Sequence, residues 1–161
     1  MIVVLMGVNG AGKTTVGRLL ADRLGWQFVE GDDFHPSANV AKMRRGEPLD
    51  DADRMPWLRA LRHRIDDLVA AGASAVVACS ALRPSYRDVL AAGRPEVVFV
   101  WLTAPVEVLR DRLRHRVGHF MPPALLESQL ATLETPPGIL AQDVTPLPEA
   151  IVAALRTKLG I

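Results

Sequence analysis

Apolar residues along this chain switch between two periods. Ile2–Met6 is a continuous apolar run that stops at Gly7, the pattern of a short parallel strand buried on both faces. Over 14–24 the apolar positions Val16, Leu19, Leu20 and Leu24 recur at helical spacing, and Gly25 supplies a stop. Residues 26–30 read as a second strand. Over 32–48 the pattern breaks and turns polar; a short helix is predicted there, capped by Ser37, running to Arg45 and closed by Gly46. A long helix is predicted to begin around 53–56, where acidic residues and Pro56 suit a first turn. Leu58, Leu61, Ile65 and Leu68 give it one apolar face, and it ends at Gly72. Strands at 73–79 and 96–102 and helices at 84–92, 106–116 and 122–133 follow, then a last strand candidate at 138–144 and a closing helix at 146–159.

This alternation predicts an α/β fold, a parallel β-sheet flanked by helices on both faces, in one domain of 161 residues. Ligands of such sheets bind beyond the carboxyl ends of the strands, so chemistry is expected where the first strand meets Gly7. Residues 7–14 there read Gly-Val-Asn-Gly-Ala-Gly-Lys-Thr, a match to the phosphate-loop pattern G-x-x-x-x-G-K-S/T in its required setting of strand, loop and helix. Glycines let successive N–H groups curl around a polyphosphate, and the helix adds its positive end. Gly7, Val8, Asn9, Gly10, Ala11, Gly12, Lys13, Thr14 and Thr15 are therefore the nucleotide-binding candidates. Lys13 would reach the β- and γ-phosphates and the Thr14 hydroxyl would ligate Mg²⁺.

Composition narrows the readings. Apolar residues make up 49% and net charge is +1, so nothing favours a nucleic-acid or membrane partner. The run at the start is too short to span a bilayer and passes straight into the glycine loop, which predicts no signal peptide. Cys79 is the single cysteine, read as small core, and a cytoplasmic chain is expected. The base-reading pattern Asn-Lys-x-Asp of regulatory GTPases is missing, since neither Lys42 nor Lys158 follows an Asn. No aspartate ends the third strand, which closes Val-Val-Ala-Cys-Ser. Mg²⁺ would then be held by Thr14, phosphates, water and a carboxylate after the second strand.

That strand is followed by Glu30-Gly31-Asp32-Asp33-Phe34-His35-Pro36. A carboxylate there could take the proton of an acceptor hydroxyl as a phosphoryl group moves to it; an acidic loop or helix cap is the plainer reading. Further on come Lys42-Met43, Gly46-Glu47-Pro48-Leu49, the stretch 50–58 of the form Asp-Asp-x-Asp-Arg-x-Pro-Trp-Leu, Cys79-Ser80-Ala81-Leu82, Tyr86-Arg87-Asp88 and Gly118-His119-Phe120. With the phosphate loop, these segments resemble the gluconokinase family of small phosphate-loop carbohydrate kinases, in order and spacing, from residue 1 to about 134.

The resemblance implies a fold like those of adenylate and shikimate kinases, a phosphate-loop core (1–31, 73–108, 138–161) with an acceptor-binding insert at about 32–72 and a mobile lid at about 112–124. It implies ATP and Mg²⁺ as cofactors, gluconate as acceptor and a homodimer. Asp32 matches the acidic residue facing the acceptor hydroxyl, and Glu30 one near Mg²⁺, through water. His35, Arg54, Ser80, Arg83 and Arg87 become candidates for the sugar-acid pocket, since an Arg fork suits a carboxylate and Ser, His and Asp suit hydroxyls. Arg112 and Arg116 lie four apart on one helix face; Arg112 is placed at the nucleotide and Arg116, preceding the lid motif, over the transferring phosphoryl. Arg110 and Arg114 are read as solvent-exposed. Arg83 stands where the family usually has Lys, and residues from Thr135 onward match poorly, which leaves the adenine end open. Two other readings stand beside this one: a kinase of the same fold for shikimate or another sugar acid, and a nucleotide-binding regulatory module with no acceptor.

Overall fold

The computed structural model describes residues 1–115, 125–135 and 137–161. Its sheet runs β1 (Ile2–Met6), β2 (Gln27–Glu30), β3 (Ala75–Ala78), β4 (Val97–Thr103) and β5 (Leu140–Asp143), in the spatial order β2-β3-β1-β4-β5 with every pair parallel. β1 lies in the middle; Leu5 sits opposite Ala78 on one side and Val100 on the other. Its period-2 geometry sends Val3 and Leu5 into one core and Ile2, Val4 and Met6 into the other. This explains why the run is apolar throughout: both faces are covered.

Helices α1 (Lys13–Leu24), α5 (Val106–Arg114), α6 (Leu125–Thr132) and α7 (Pro148–Leu159) close the first core with Val16, Leu20, Leu109, Leu113, Leu126, Ile151 and Leu155. α3 (Asp51–Ala70) and α4 (Pro84–Ala91) close the second with Trp57, Leu58, Leu61, Ile65, Tyr86 and Leu90. α2 (Ser37–Arg44) stands apart, contributing Met43 to a small cluster with Leu49 and Leu125. Among the described residues no helix is long and apolar enough to cross a membrane.

Several boundaries differ from the sequence expectation, among them the starts of three helices. α3 starts at Asp51, earlier than expected, because Asp50 and Asp53 exchange side-chain-to-backbone hydrogen bonds in a capping box. Pro56 therefore falls inside the helix, where its missing N–H forgoes the bond to the Ala52 carbonyl. Ser37 is the first helical residue of α2 and not its cap, a position taken by Pro36 with no side-chain bond. The closing helix begins at Pro148, with Leu147 as its cap. The expected segments 122–124 and Arg116 lie outside the described residues.

Two glycines are required by close approach at the sheet edge. A Cβ on Gly7, whose φ is +140°, would lie 2.7 Å from the Leu102 carbonyl oxygen; one on Gly31 would lie 2.3 Å from that of Ala78. Neither backbone oxygen can yield without opening the sheet. Gly31→Ala is expected to lower the unfolding free energy by about 2 kcal/mol or more. Urea denaturation checks this, and an unchanged midpoint would mean that β2 and β3 can part there at no cost.

Candidate active site

Parallel pairing brings the loops after β1, β2 and β3 to one edge. Beyond the strand ends the Gly7 amide donates to the Ser80 carbonyl at 3.2 Å, tying the first loop to the third. Gly10 and Gly12 both have positive φ, which curls the loop into the start of α1. Lys13 Nζ reaches back to donate to the carbonyls of Gly7 (2.9 Å) and Val8 (3.0 Å). Thr14 Oγ1 donates to Glu30 Oε2 at 2.7 Å, so the hydroxyl after the loop and the carboxylate ending β2 meet directly.

A cavity of about 260 Å³ opens above this loop, lined by Asn9, Gly10, Gly12, Lys13, Thr14, Thr15, Glu30, Asp32, Ser80, Arg112 and Gln129. A second space of about 200 Å³ continues past Gly12, Thr15 and Arg112 to Ala11, Val16, Val144, Pro146 and Ile151. Arg112 Nη2 donates to the Val144 carbonyl between them. Most of the predicted nucleotide set thus lines one or other space, while Gly7 and Val8 hold Lys13.

On the opposite side a smaller hollow is lined by Asp32, His35, Met43, Pro48, Leu49, Arg54, Leu125 and Ser128. It shares Asp32, Ser80 and Gln129 with the large cavity. Asp32 sits in the 3₁₀ turn Gly31–Phe34 that follows β2. Arg54, 6% exposed, donates from Nε to the Leu49 carbonyl at 3.2 Å and lies over the Tyr86 ring at 5.6 Å. His35 stacks on Trp57 at 4.1 Å between ring centroids, and Trp57 Nε1 donates to the Gly31 carbonyl at 2.7 Å. Trp57 is a core residue that backs the His35 ring from behind the hollow's lining.

The structure brings Asp32, His35, Arg54 and Ser80 together and leaves two arginines aside. Arg83 pairs with Asp51 at 3.0 Å and Glu134 at 3.8 Å, and Asp51 also accepts from the Tyr86 hydroxyl. Arg87 is buried, its Nη1 donating to the Ala81 carbonyl at 2.9 Å. Ala81 has φ +42°, an uncomfortable conformation for a residue with a Cβ, and Arg87 clamps it next to Ser80. Arg110 is exposed and pairs with Glu127, and Arg114 is exposed. Arg116 lies outside the described residues.

Burial sets the electrostatics. Glu30 is pushed above the usual carboxylate range by burial, with Asp32 adding repulsion and the Thr14 hydroxyl pulling the other way. His35 is held down at about 4, chiefly by burial, against the pull of Asp32. The buried Cys79 thiol is pushed up to about 12, which fits core and not a nucleophile.

Comparison with known proteins gives the family. A family model described as an AAA domain matches residues 2–136. The gluconokinase of Gluconobacter oxydans (strain 621H) is 54% identical over 134 residues, covering 83% of this chain and 75% of its own. The chain belongs to the gluconokinase family. The gluconokinase structure from Sinorhizobium meliloti 1021 superposes with a TM-score of 0.81 at 43% identity, covering 98% of this chain and 94% of that one. An unliganded sugar kinase from Janibacter sp. HTCC2649 does so with a TM-score of 0.92 at 47% identity, covering 99% and 94%.

Within this gluconokinase-family site, sequence reasoning missed Gln129 and Asn39. Gln129, on α6, accepts from the Asn9 amide at 2.5 Å and lines both cavities. Asn39 is buried beside His35. An isolated amide carries no motif, and only the fold brings either one to the loops.

The buried imidazole gives a pH signature. As pH falls from about 6.5 to about 4 the unfolded chain takes up a proton on His35 that the folded chain refuses, so stability is lost across that window. Between pH 7 and pH 4.5 the protein should lose about 2.5 kcal/mol more than His35→Gln does. Urea denaturation at both pH values checks this; equal losses would mean that His35 titrates normally.

Proposed function

We propose that this chain is a gluconokinase that moves the γ-phosphoryl group of ATP to the 6-hydroxyl of gluconate, giving 6-phosphogluconate and ADP. The observation that carries the reading is the shared wall: Asp32, Ser80 and Gln129 border both the phosphate-loop cavity and the hollow lined by Arg54 and His35. A phosphoryl donor in one and a hydroxyl acceptor in the other would face each other across Asp32. The 54% identity to a gluconokinase supports gluconate as that acceptor.

In this reading the loop amides of 7–14 and the N-terminus of α1 cradle the phosphates, and Lys13 leaves the loop carbonyls to meet the β- and γ-oxygens. The far space beside Val144 and Arg112 receives the base. Thr14 and Glu30 are hard oxygen donors, and a two-ligand site completed by phosphates and water fits Mg²⁺. The ion would neutralise charge on the β- and γ-oxygens. Asp32 accepts the proton of the 6-hydroxyl as its oxygen bonds to the γ-phosphorus and the bond to the bridging oxygen breaks, leaving ADP. In the proposed pocket Arg54 meets the gluconate carboxylate, with Ser80 and His35 on hydroxyls. Arg83 and Arg87 would act from outside the hollow, the latter by holding Ala81 and so Ser80. Arg116 is assigned by resemblance to the lid, closing over the phosphoryl and excluding water. A cytoplasmic homodimer belongs to the same proposal.

The test is ADP release from Mg²⁺-ATP with gluconate, shikimate, glucose and AMP in turn. Release with gluconate alone is expected. Release with another acceptor would retain the mechanism and change the substrate; release with none would favour a regulatory module. Asp32→Asn should retain ATP binding and lose about 10²-fold in turnover, whereas near-normal turnover would remove Asp32 as base.

A further inference from the structure

Asn39 sits on α2 four residues after His35, is 4% exposed, and stands with its amide between two groups. Its Nδ2 lies 2.8 Å from the Asp53 carbonyl oxygen and 3.4 Å from His35 Nδ1. A backbone carbonyl can only accept, so the Asp53 contact decides which end of the amide is nitrogen. That nitrogen has a second hydrogen, and the His35 atom facing it must then be an acceptor. An imidazole whose Nδ1 accepts carries its proton on Nε2. Burial and the stacked Trp57 ring hold the imidazole neutral and in place.

His35 Nε2 faces Asp32 Oδ1 at 3.9 Å, with the His35 side chain 3% exposed and Asp32 20%. That gap is too wide for a direct hydrogen bond. With Nε2 protonated, one group donates and the other accepts. A hydroxyl seated against both can accept from His35 and donate to Asp32. With the proton on Nδ1, both would be acceptors and a hydroxyl could satisfy only one.

We propose that Asn39 is a positioning residue that locks His35 in its Nε2–H form, making His35 and Asp32 a donor–acceptor pair that reads a hydroxyl of the acceptor. The asparagine acts through His35 and is braced by the start of α3, since Asp53 is also the capping partner of Asp50 and the anion of Lys42 at 2.7 Å. The identity of the acceptor as gluconate rests on the function proposed above; the position of the proton does not.

The test is long-range ¹H–¹⁵N correlation on histidine-labelled protein at neutral pH, with His35 assigned by its loss in His35→Gln. The unmodified protein should show His35 protonated at Nε2 and bare at Nδ1, and gluconate should shift the Nε2–H signal. A proton on Nδ1, or a signal that gluconate binding leaves unmoved, overturns the proposal without needing any variant of Asn39. In Asn39→Asp a carboxylate faces Nδ1 and should draw the proton there. Gluconate KM should then rise about tenfold or more, the effect of one lost hydrogen bond, with ATP KM within about twofold. Unchanged gluconate KM with the proton moved would also overturn it. The ADP-release panel separates failure of the gluconate reading, which would not move the imidazole proton.

Discussion

The bond from the Gly7 amide to the Ser80 carbonyl joins the two halves of the site, and the rest of the arrangement depends on it. It exists because β1 and β3 run parallel in fixed register, so that their ends reach the same edge of the sheet. Next to it Gly31 lies too close to the Ala78 carbonyl for any side chain, which draws the turn carrying Asp32 in against the same edge. Three strand ends thus deliver three loops to one place. A phosphate-holding loop, an acid and a hydroxyl-bearing residue are neighbours by topology before any of them is chosen for chemistry.

Packing then makes those groups unusual. Glu30 is partly removed from water, which raises its pKa, while the Thr14 hydroxyl donates to it and Asp32 and Lys13 stand near. His35 is pressed against Trp57 and held neutral, which converts a residue that ordinarily titrates near neutrality into a fixed dipole. Arg54 is buried with its guanidinium over Tyr86, its position set by the Leu49 carbonyl. Buried, oriented groups of this kind need little rearrangement when a ligand arrives.

Much of this was legible in the sequence where the signal is local. The phosphate loop is a contiguous motif between a strand and a helix, and its glycines, Lys13 and Thr14 stand where their pattern places them. The order of strands and helices followed from apolar periodicity, because β1 and β3 are buried on both faces and their neighbouring helices on one. Signals that depend on competing short-range bonds were less clear. The Asp50–Asp53 capping box outweighed Pro56 in setting the start of α3, and both readings use the same acidic cluster. Contacts between distant segments were illegible: Gln129 reaches Asn9 across 120 positions, and the clamp of Arg87 on Ala81 turns on a backbone angle that no residue name announces.

In the proposed reaction one carboxylate, Asp32, stands between a nucleotide and a sugar-acid hydroxyl. The most direct measurement is a crystal structure with gluconate and a non-hydrolysable ATP analogue. A gluconate hydroxyl is expected within hydrogen-bond reach of Asp32, at about 2.6–3.2 Å, with that hydroxyl facing the γ-phosphate and the carboxylate end towards Arg54. Gluconate bound away from Asp32, or Asp32 turned towards solvent with the hydroxyl held by another group, would contradict it.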